Sequence, residues 1–217
     1  MKGKRLVLFL LCFILTATST VFGQTARKKF RLAGHVGYAN MLGGTDGLTN
    51  SSSSYERELC SGFSWDAKVD VLVNSRIGIG VLYSGYTASG ELDYSSDHIY
   101  THYLAPQFTL TAWQSNRFKF YLNAGIGGIY YLNNSTVFGK ERRVEGGNVA
   151  ANIGGIVEYR INSSWGVSLN PQYISASLRE IHATYHGETT RVIFGGEDKN
   201  RLDLSRLNLS AGMNFYF

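Results

Sequence analysis

The chain has 217 residues, of which 44 % are hydrophobic and 17 % charged, and this length suits one domain. It contains 25 glycines, 14 tyrosines and 12 phenylalanines but only two prolines, a balance that favours closely packed strands. After the first 23 residues no run of 18 apolar residues exists, which excludes helical membrane spans, and neither a phosphate-binding glycine loop nor a nucleic-acid motif is present.

The chain opens like an export signal. Lys2, Lys4 and Arg5 form a positive start, and Leu6 to Leu15 is an apolar run too short to cross a bilayer as a helix. The small residues Val21 and Gly23 suit a cut before Gln24, so residues 1–23 are expected to be a signal peptide and residues 24–217 the folded domain. The signal carries three of the 21 basic residues against 16 acidic ones overall. The exported domain is therefore nearly neutral, and the net charge of +5 is no argument for nucleic acid. Cys12 follows Leu11 rather than a small residue, which rules against a lipoprotein site, and Cys60 is then left without an intramolecular disulfide partner. The basic cluster Arg27, Lys28, Lys29 and Arg31 reads as a solvated tail or a lipid-headgroup contact.

From residue 30 onward the sequence alternates with period two, in segments of about ten residues separated by turn-rich stretches. The first segment sets Phe30, Leu32, Gly34, Val36 and Tyr38 against Arg31, Ala33, His35 and Gly37. The second sets Phe63, Trp65, Ala67, Val69 and Val71 against Ser64, Asp66, Lys68 and Asp70. The third runs from Ile77 to Ser84, the fourth from Tyr103 to Ala112 and the fifth from Phe118 to Gly127. The sixth covers Val149 to Arg160 and the seventh Trp165 to Tyr173. The last carries Leu207, Leu209, Ala211, Met213, Phe215 and Phe217 on one face to the very end. Pro106 and Pro171 fall on apolar faces, where a bulge or a lost ladder bond is expected.

Eight such segments are joined by connections that alternate in length. Three are minimal: Asn74 to Arg76, Gln114 to Asn116 and Asn162 to Ser164. Four are long and polar: Leu42 to Cys60, Ser89 to Asp97, Asn133 to Gly147 and Arg179 to Asn200. Short turns on one side and long loops on the other are the mark of outer-membrane barrels. The expected fold is an all-β, eight-stranded antiparallel, up-and-down transmembrane barrel with short periplasmic turns, long external loops and both termini periplasmic. Outer-membrane lipid and lipopolysaccharide would surround it, and the loops would face an external partner that the sequence leaves unspecified.

Eight strands leave a lumen just wide enough for side chains to fill. Arg31, Asp66, Lys68, Asp70, Lys119, Glu158, Arg160 and Arg206 fall on the inward face and are expected to form an interior charge network that fills the barrel rather than conducting ions. Trp65, Tyr83, Tyr103, Tyr130 and Tyr173 on one side, and Trp113, Phe118, Trp165 and Phe217 on the other, suit the aromatic girdles of a membrane band.

The segments Phe22-Gly23-Gln24, Tyr103-Leu104-Ala105-Pro106 and Tyr121-Leu122-Asn123-Ala124-Gly125-Ile126-Gly127-Gly128, with the aromatic C-terminus, resemble the outer-membrane protein β-barrel domain families, particularly those of Bacteroidetes. More distantly they resemble small barrels of the OmpA and OmpX kind. The resemblance spans the exported chain and implies that Phe215 and Phe217 belong to a signal read by the barrel-assembly machinery. No peptidoglycan-binding segment follows the barrel, so the resemblance does not extend to cell-wall tethering.

Some barrels of this size act on lipid A, which makes catalytic groups worth weighing. Ser96 and His98 share a face two residues apart, with His102, Glu91 and Asp97 nearby, but nothing in their spacing fixes a nucleophile, base and orienting group. His182 and His186 would suit a metal only on a helix, whereas Thr184 to Phe194 reads as an extended hairpin. The expectation is therefore a non-enzymatic barrel with no metal and no cofactor, the alternatives being a lipid A-modifying enzyme or a narrow solute channel.

Overall fold

The computed structural model describes residues 30–43, 53–92, 95–185, 187–194 and 201–217. The expected signal peptide lies outside the described residues. Eight strands close into a ring: β1 (Phe30–Met41), β2 (Ser61–Leu72), β3 (Ile77–Leu92), β4 (Ser95–Gln114), β5 (Phe118–Val137), β6 (Lys140–Arg160), β7 (Trp165–Leu178) and β11 (Arg206–Tyr216). Between β7 and β11 the chain adds β8 (Glu180–Tyr185), β9 (Glu188–Ile193) and the two-residue β10 (Leu202–Asp203). All pairings are antiparallel between neighbours, and β1 closes the ring on β11 from Arg31↔Tyr216 to Met41↔Arg206. At this seam Phe30 N donates to Phe217 O at 3.0 Å, Phe217 N donates to Phe30 O at 3.2 Å, and the two rings stack at 5.5 Å.

The period-two pattern sorts the ring into an inside and an outside. Along β7 every second residue from Gly166 to Leu178 is buried, while Trp165, Val167, Leu169, Pro171 and Tyr173 are exposed. The other strands repeat this, so Leu209 (62 % exposed), Ile126 (66 %) and Val36 (57 %) all stand outward. Such a continuous apolar surface is stable only against hydrocarbon, and only a closed sheet satisfies its backbone there. Two short turns share one local device. Asn74 Oδ1 accepts from the N–H groups of Arg76 and Ile77 at 2.8 Å, and Asn162 Oδ1 accepts from those of Ser164 and Trp165 at 2.8 and 2.9 Å.

Two details differ from the sequence reading. The segments Ser89–Asp97 and Asn133–Gly147 are not open loops, because β3 and β4 run on to Leu92 and Ser95, and β5 and β6 to Val137 and Lys140. Here the outward residues turn polar (Ser89, Glu91, His98, Asn134) while Ala88, Ile99 and Tyr131 stay buried inside. The strands have left the apolar layer but not the sheet, and an apolar-outside criterion ends them too early. The segment Leu42–Cys60 ends in a helix, α1 (Ser53–Cys60), whose Tyr55 and Leu59 lie four apart on one buried face. At the prolines, pairing is interrupted at Ala105–Pro106 and at Asn170–Pro171 and resumes in unchanged register. A register shift occurs instead between Thr111 and Trp113.

Gly127 faces inward where β4 crosses close to β5. A Cβ there would lie 2.0 Å from Leu104 O and 2.6 Å from Ala105 Cα, whereas one on Gly128 would meet nothing within 4 Å. Gly127→Ala is therefore expected to destabilise the barrel by about 1–3 kcal/mol, with Gly128→Ala nearly neutral. Urea titration of the compact, unboiled gel band measures both, and equal midpoints would contradict this packing.

Candidate functional site in the barrel lumen and rim

At the short-turn end, β1 and β2 place Arg31 beside Asp70, with Nε at 2.9 Å and Nη2 at 2.5 Å from Oδ2. Lys68 Nζ lies 3.7 Å from Asp70 Oδ1 and donates to Thr109 on β4 at 2.8 Å, and the Thr109 hydroxyl returns to Asp70 at 3.2 Å. One carboxylate thus serves two cations. Beside this cluster, Tyr216 on β11 donates to Glu158 on β6 and lies 2.8 Å from the Tyr121 hydroxyl on β5. The Arg31 guanidinium stacks 4.2 Å from the Tyr121 ring centroid, which joins the two groups. Arg160 and Lys119, both half-buried, lie 4.8 and 5.7 Å from the Tyr216 ring, and Arg160 Nε is 4.0 Å from Glu158.

Six of the eight inward charges are therefore gathered at one end, and the other two are separated from them. Asp66 belongs to a middle layer, where its Oδ1 is 2.6 Å from His35 Nδ1 and its Oδ2 accepts from Asn170 (3.1 Å) and Ser210 (3.2 Å). His35 Nε2 lies 2.8 Å from Ser168 Oγ. The order Asp66–His35–Ser168 matches an orienting group, base and nucleophile, which the sequence reading missed because Asp66 meets His35 only through the β1–β2 register and Ser168 lies 133 residues away on β7. Ser168 also accepts from Asn214 Nδ2 at 2.9 Å and is 6 % exposed, so its oxygen has no open side for a reacting carbonyl. The trio works as an interior clamp between β1, β2 and β7. A second bridge crosses the lumen from Tyr103 on β4 to Asn152 on β6 at 2.9 Å, and Gln107 donates to the same oxygen at 2.6 Å.

Toward the long-loop end the lumen becomes apolar. Met41, Leu82, Tyr86, Ile99, Tyr131, Ile174 and Leu178 form one buried cluster, closed from above by Tyr55 and Leu59 of α1. The helix is held in place by Tyr55, which donates to Asp97, and by Tyr86, which donates to Leu59 O at 2.9 Å. Asn133 Nδ2 also donates to Asp97 at 2.7 Å, and Arg142 lies 3.7 Å away. Burial and the Asp97 carboxylate both push the Tyr55 phenol well above its ordinary pKa, so it stays a donor at any physiological pH.

Above the barrel mouth, β8 pairs with the extension of β6 from Arg142↔Tyr185 to Glu145↔His182, and β9 pairs with β8. Between this hairpin and the β5–β6 tip lies a cleft of about 800 Å³ lined by His98, Asn134, Lys140, Arg142, Arg143 and Thr184. Arg191 grips Glu180 at 2.5 and 2.6 Å and holds its carboxyl below the usual range. His102 Nδ1 lies 2.8 Å from the Tyr83 hydroxyl on the outer wall. Ser96 and His98 do share a face, but among the described residues no hydrogen bond joins them, and His98 stands opposite Ser89 and Asn134. His182 is 3.6 Å from Glu180, and His186 lies outside the described residues.

No protein-family model and no curated protein matches the chain. Solved structures do. Neisserial surface protein A aligns over 87 % of this chain and 97 % of its own, with a TM-score of 0.52 at 17 % identity. A major outer membrane protein from Thermus thermophilus aligns over 87 % and 98 %, with a TM-score of 0.60 at 10 % identity. The chain has the fold of a small outer-membrane β-barrel. The outer membrane protein OprG from Pseudomonas aeruginosa is similar at a TM-score of 0.53 and 10 % identity, over 88 % of this chain and 96 % of that one. With identities this low, the likeness concerns the ring and its topology, and the lumen contacts above are read from this chain alone.

Because Asp70 is the carboxylate that both Arg31 and Lys68 contact, Asp70→Asn is expected to cost about 3–5 kcal/mol and Arg31→Met less, since Asp70 keeps Lys68. Replacing Arg31 and Asp70 together should recover part of the loss. Urea midpoints in a double-mutant cycle measure this, and additive losses would show that the pair is not coupled.

Proposed function

We propose that this chain is an integral outer-membrane barrel whose lumen is a structural filling and whose working surface is the external rim. The observation that carries this is the set of bridges crossing the lumen at successive levels: Tyr216–Glu158, Lys68–Thr109, His35–Ser168 and Tyr103–Asn152. A solute path would have to break each of them, and each lost bridge leaves buried polar groups unpaired. The narrow-channel alternative is thus not favoured. A lipid A enzyme built on Ser96 and His98 is not favoured either, because among the described residues no hydrogen bond joins the two side chains.

On this reading both termini face the periplasm, residues 1–23 are removed on export, and lipopolysaccharide and lipid surround the apolar band. Phe215 and Phe217, stacked at 5.6 Å beside the closing seam, would serve first as the terminal signal for the assembly machinery and then as girdle aromatics. The rim formed by the β5–β6 tip and the β8–β9 hairpin would meet external partners, since binding groups concentrate on segments held by a rigid scaffold.

Two measurements test the reading. Trypsin added to intact cells should cut in the β8–β9 region and leave the ring as a compact band that shifts on boiling. Cleavage only after the envelope is opened would overturn the orientation. Leu169 sits midway between the girdle residues Trp165 and Tyr173 and is 56 % exposed. Leu169→Arg should destabilise the barrel by about 2–4 kcal/mol in lipid vesicles, and a neutral effect there would argue against burial in hydrocarbon.

A further inference from the structure

Arg206 differs from the other fully buried cations of the lumen. Arg31 and Arg206 are both 0 % exposed, but Arg31 faces the Asp70 carboxylate at 2.5 Å. Arg206 meets neutral groups only. Its Nη1 donates to Thr101 Oγ1, its Nη2 donates to Ser84 Oγ at 3.1 Å and to Ser84 O at 3.5 Å, and its guanidinium lies 5.5 Å from the Tyr86 ring centroid. Its Nε has no hydrogen-bond partner among the described residues.

The carboxylates that the sheet brings nearest are committed elsewhere. Asp66 is the cross-strand neighbour of Ser84, but it is engaged by His35, Asn170 and Ser210. Asp97, further up β4 than Thr101, is engaged by Tyr55, Asn133 and Arg142. The cross-strand neighbours of Arg206 are Met41 and Ile174, both apolar and buried. A trapped water can complete a hydrogen bond, but it cannot neutralise a buried guanidinium.

The donors around this cation are also in excess. Thr101 Oγ1 accepts from Arg206, and Ser84 Oγ accepts from Arg206 and from Asn208 Nδ2 at 3.4 Å. Among the described residues neither hydroxyl hydrogen is given to another acceptor, and the Arg206 Nε–H makes a third unused donor. Asn208 Oδ1, on the side chain that donates to Ser84, is a buried acceptor without a partner, but it carries no charge, so this cation and its unused donors still lack an anionic partner. We propose that Arg206, with the Thr101 and Ser84 hydroxyls, binds a small monovalent inorganic anion of chloride size, at the boundary between the polar filling and the apolar cap.

The test uses the full barrel refolded in detergent at constant ionic strength, with sodium chloride or bromide compared against sodium gluconate. The readout is the temperature at which the compact band is lost. The wild-type midpoint should rise by about 3–6 °C for each tenfold increase in halide above its dissociation constant. Arg206→Met should abolish the halide response, while Lys119→Gln, which removes a cation at the short-turn end, should retain it. Equal wild-type midpoints in halide and gluconate, or an undiminished response in Arg206→Met, would overturn the proposal. If Arg206→Met does not fold, crystals of the wild type grown in bromide decide the matter. An anomalous peak within hydrogen-bonding reach of Arg206 Nε supports the site, and its absence there refutes it. Absence of a compact band in every salt would instead count against the closed barrel.

Discussion

The structure depends on one requirement: within hydrocarbon, each backbone N–H and C=O must find its partner inside the protein. A sheet meets this only by having no edge, and here the condition is completed where β11 returns to β1. The first and last residues of the ring, Phe30 and Phe217, exchange backbone hydrogen bonds and stack their rings at this seam. The Trp165 ring lies 4.6 Å from that of Phe215 beside them, so aromatic rings flank the closing seam. Closure joins residues from opposite ends of the chain, and everything between them is arranged so that this last pairing can form.

Closure creates two environments with opposite demands. The outer surface faces an apolar medium and carries Leu, Val, Ile and Phe, with rings toward its borders. The inner surface is cut off from bulk water, so each of its polar groups must be matched locally. The lumen does this for most of them in layers, with exceptions such as Arg206 Nε. Charges meet charges at the short-turn end, amides and hydroxyls span the middle, and apolar side chains under α1 fill the far end. The small cross-section makes this possible, since a side chain on one strand reaches a strand several places away in the ring, as Arg206 on β11 reaches Ser84 on β3.

The rim follows different rules because it has left the membrane. β4, β5 and β6 are 20, 20 and 21 residues long, against 12 for β1 and 11 for β11, so one wall of the ring stands higher than the other. The extra length turns its outward face polar, while its inward face mixes apolar Ile99, Tyr131 and Val144 with the buried polar Asp97, Asn133 and Ser135. The β8–β9 hairpin continues that wall and encloses the cleft above the mouth.

The alternation of side chains was sufficient to determine the number of strands in the ring and the two-faced character of each, because a period of two leaves each residue only one face to choose. It did not determine which of the inward charges would meet. Arg31 finds Asp70 because β1 and β2 are paired in a register that sets them side by side, whereas Arg206 sits where no carboxylate is free. Nor did it reveal the Asp66–His35–Ser168 clamp, the helical cap or the tall wall. Distances across the lumen are fixed by register and by closure of the ring, and both arise from pairings between residues far apart in the chain, which a local pattern does not contain.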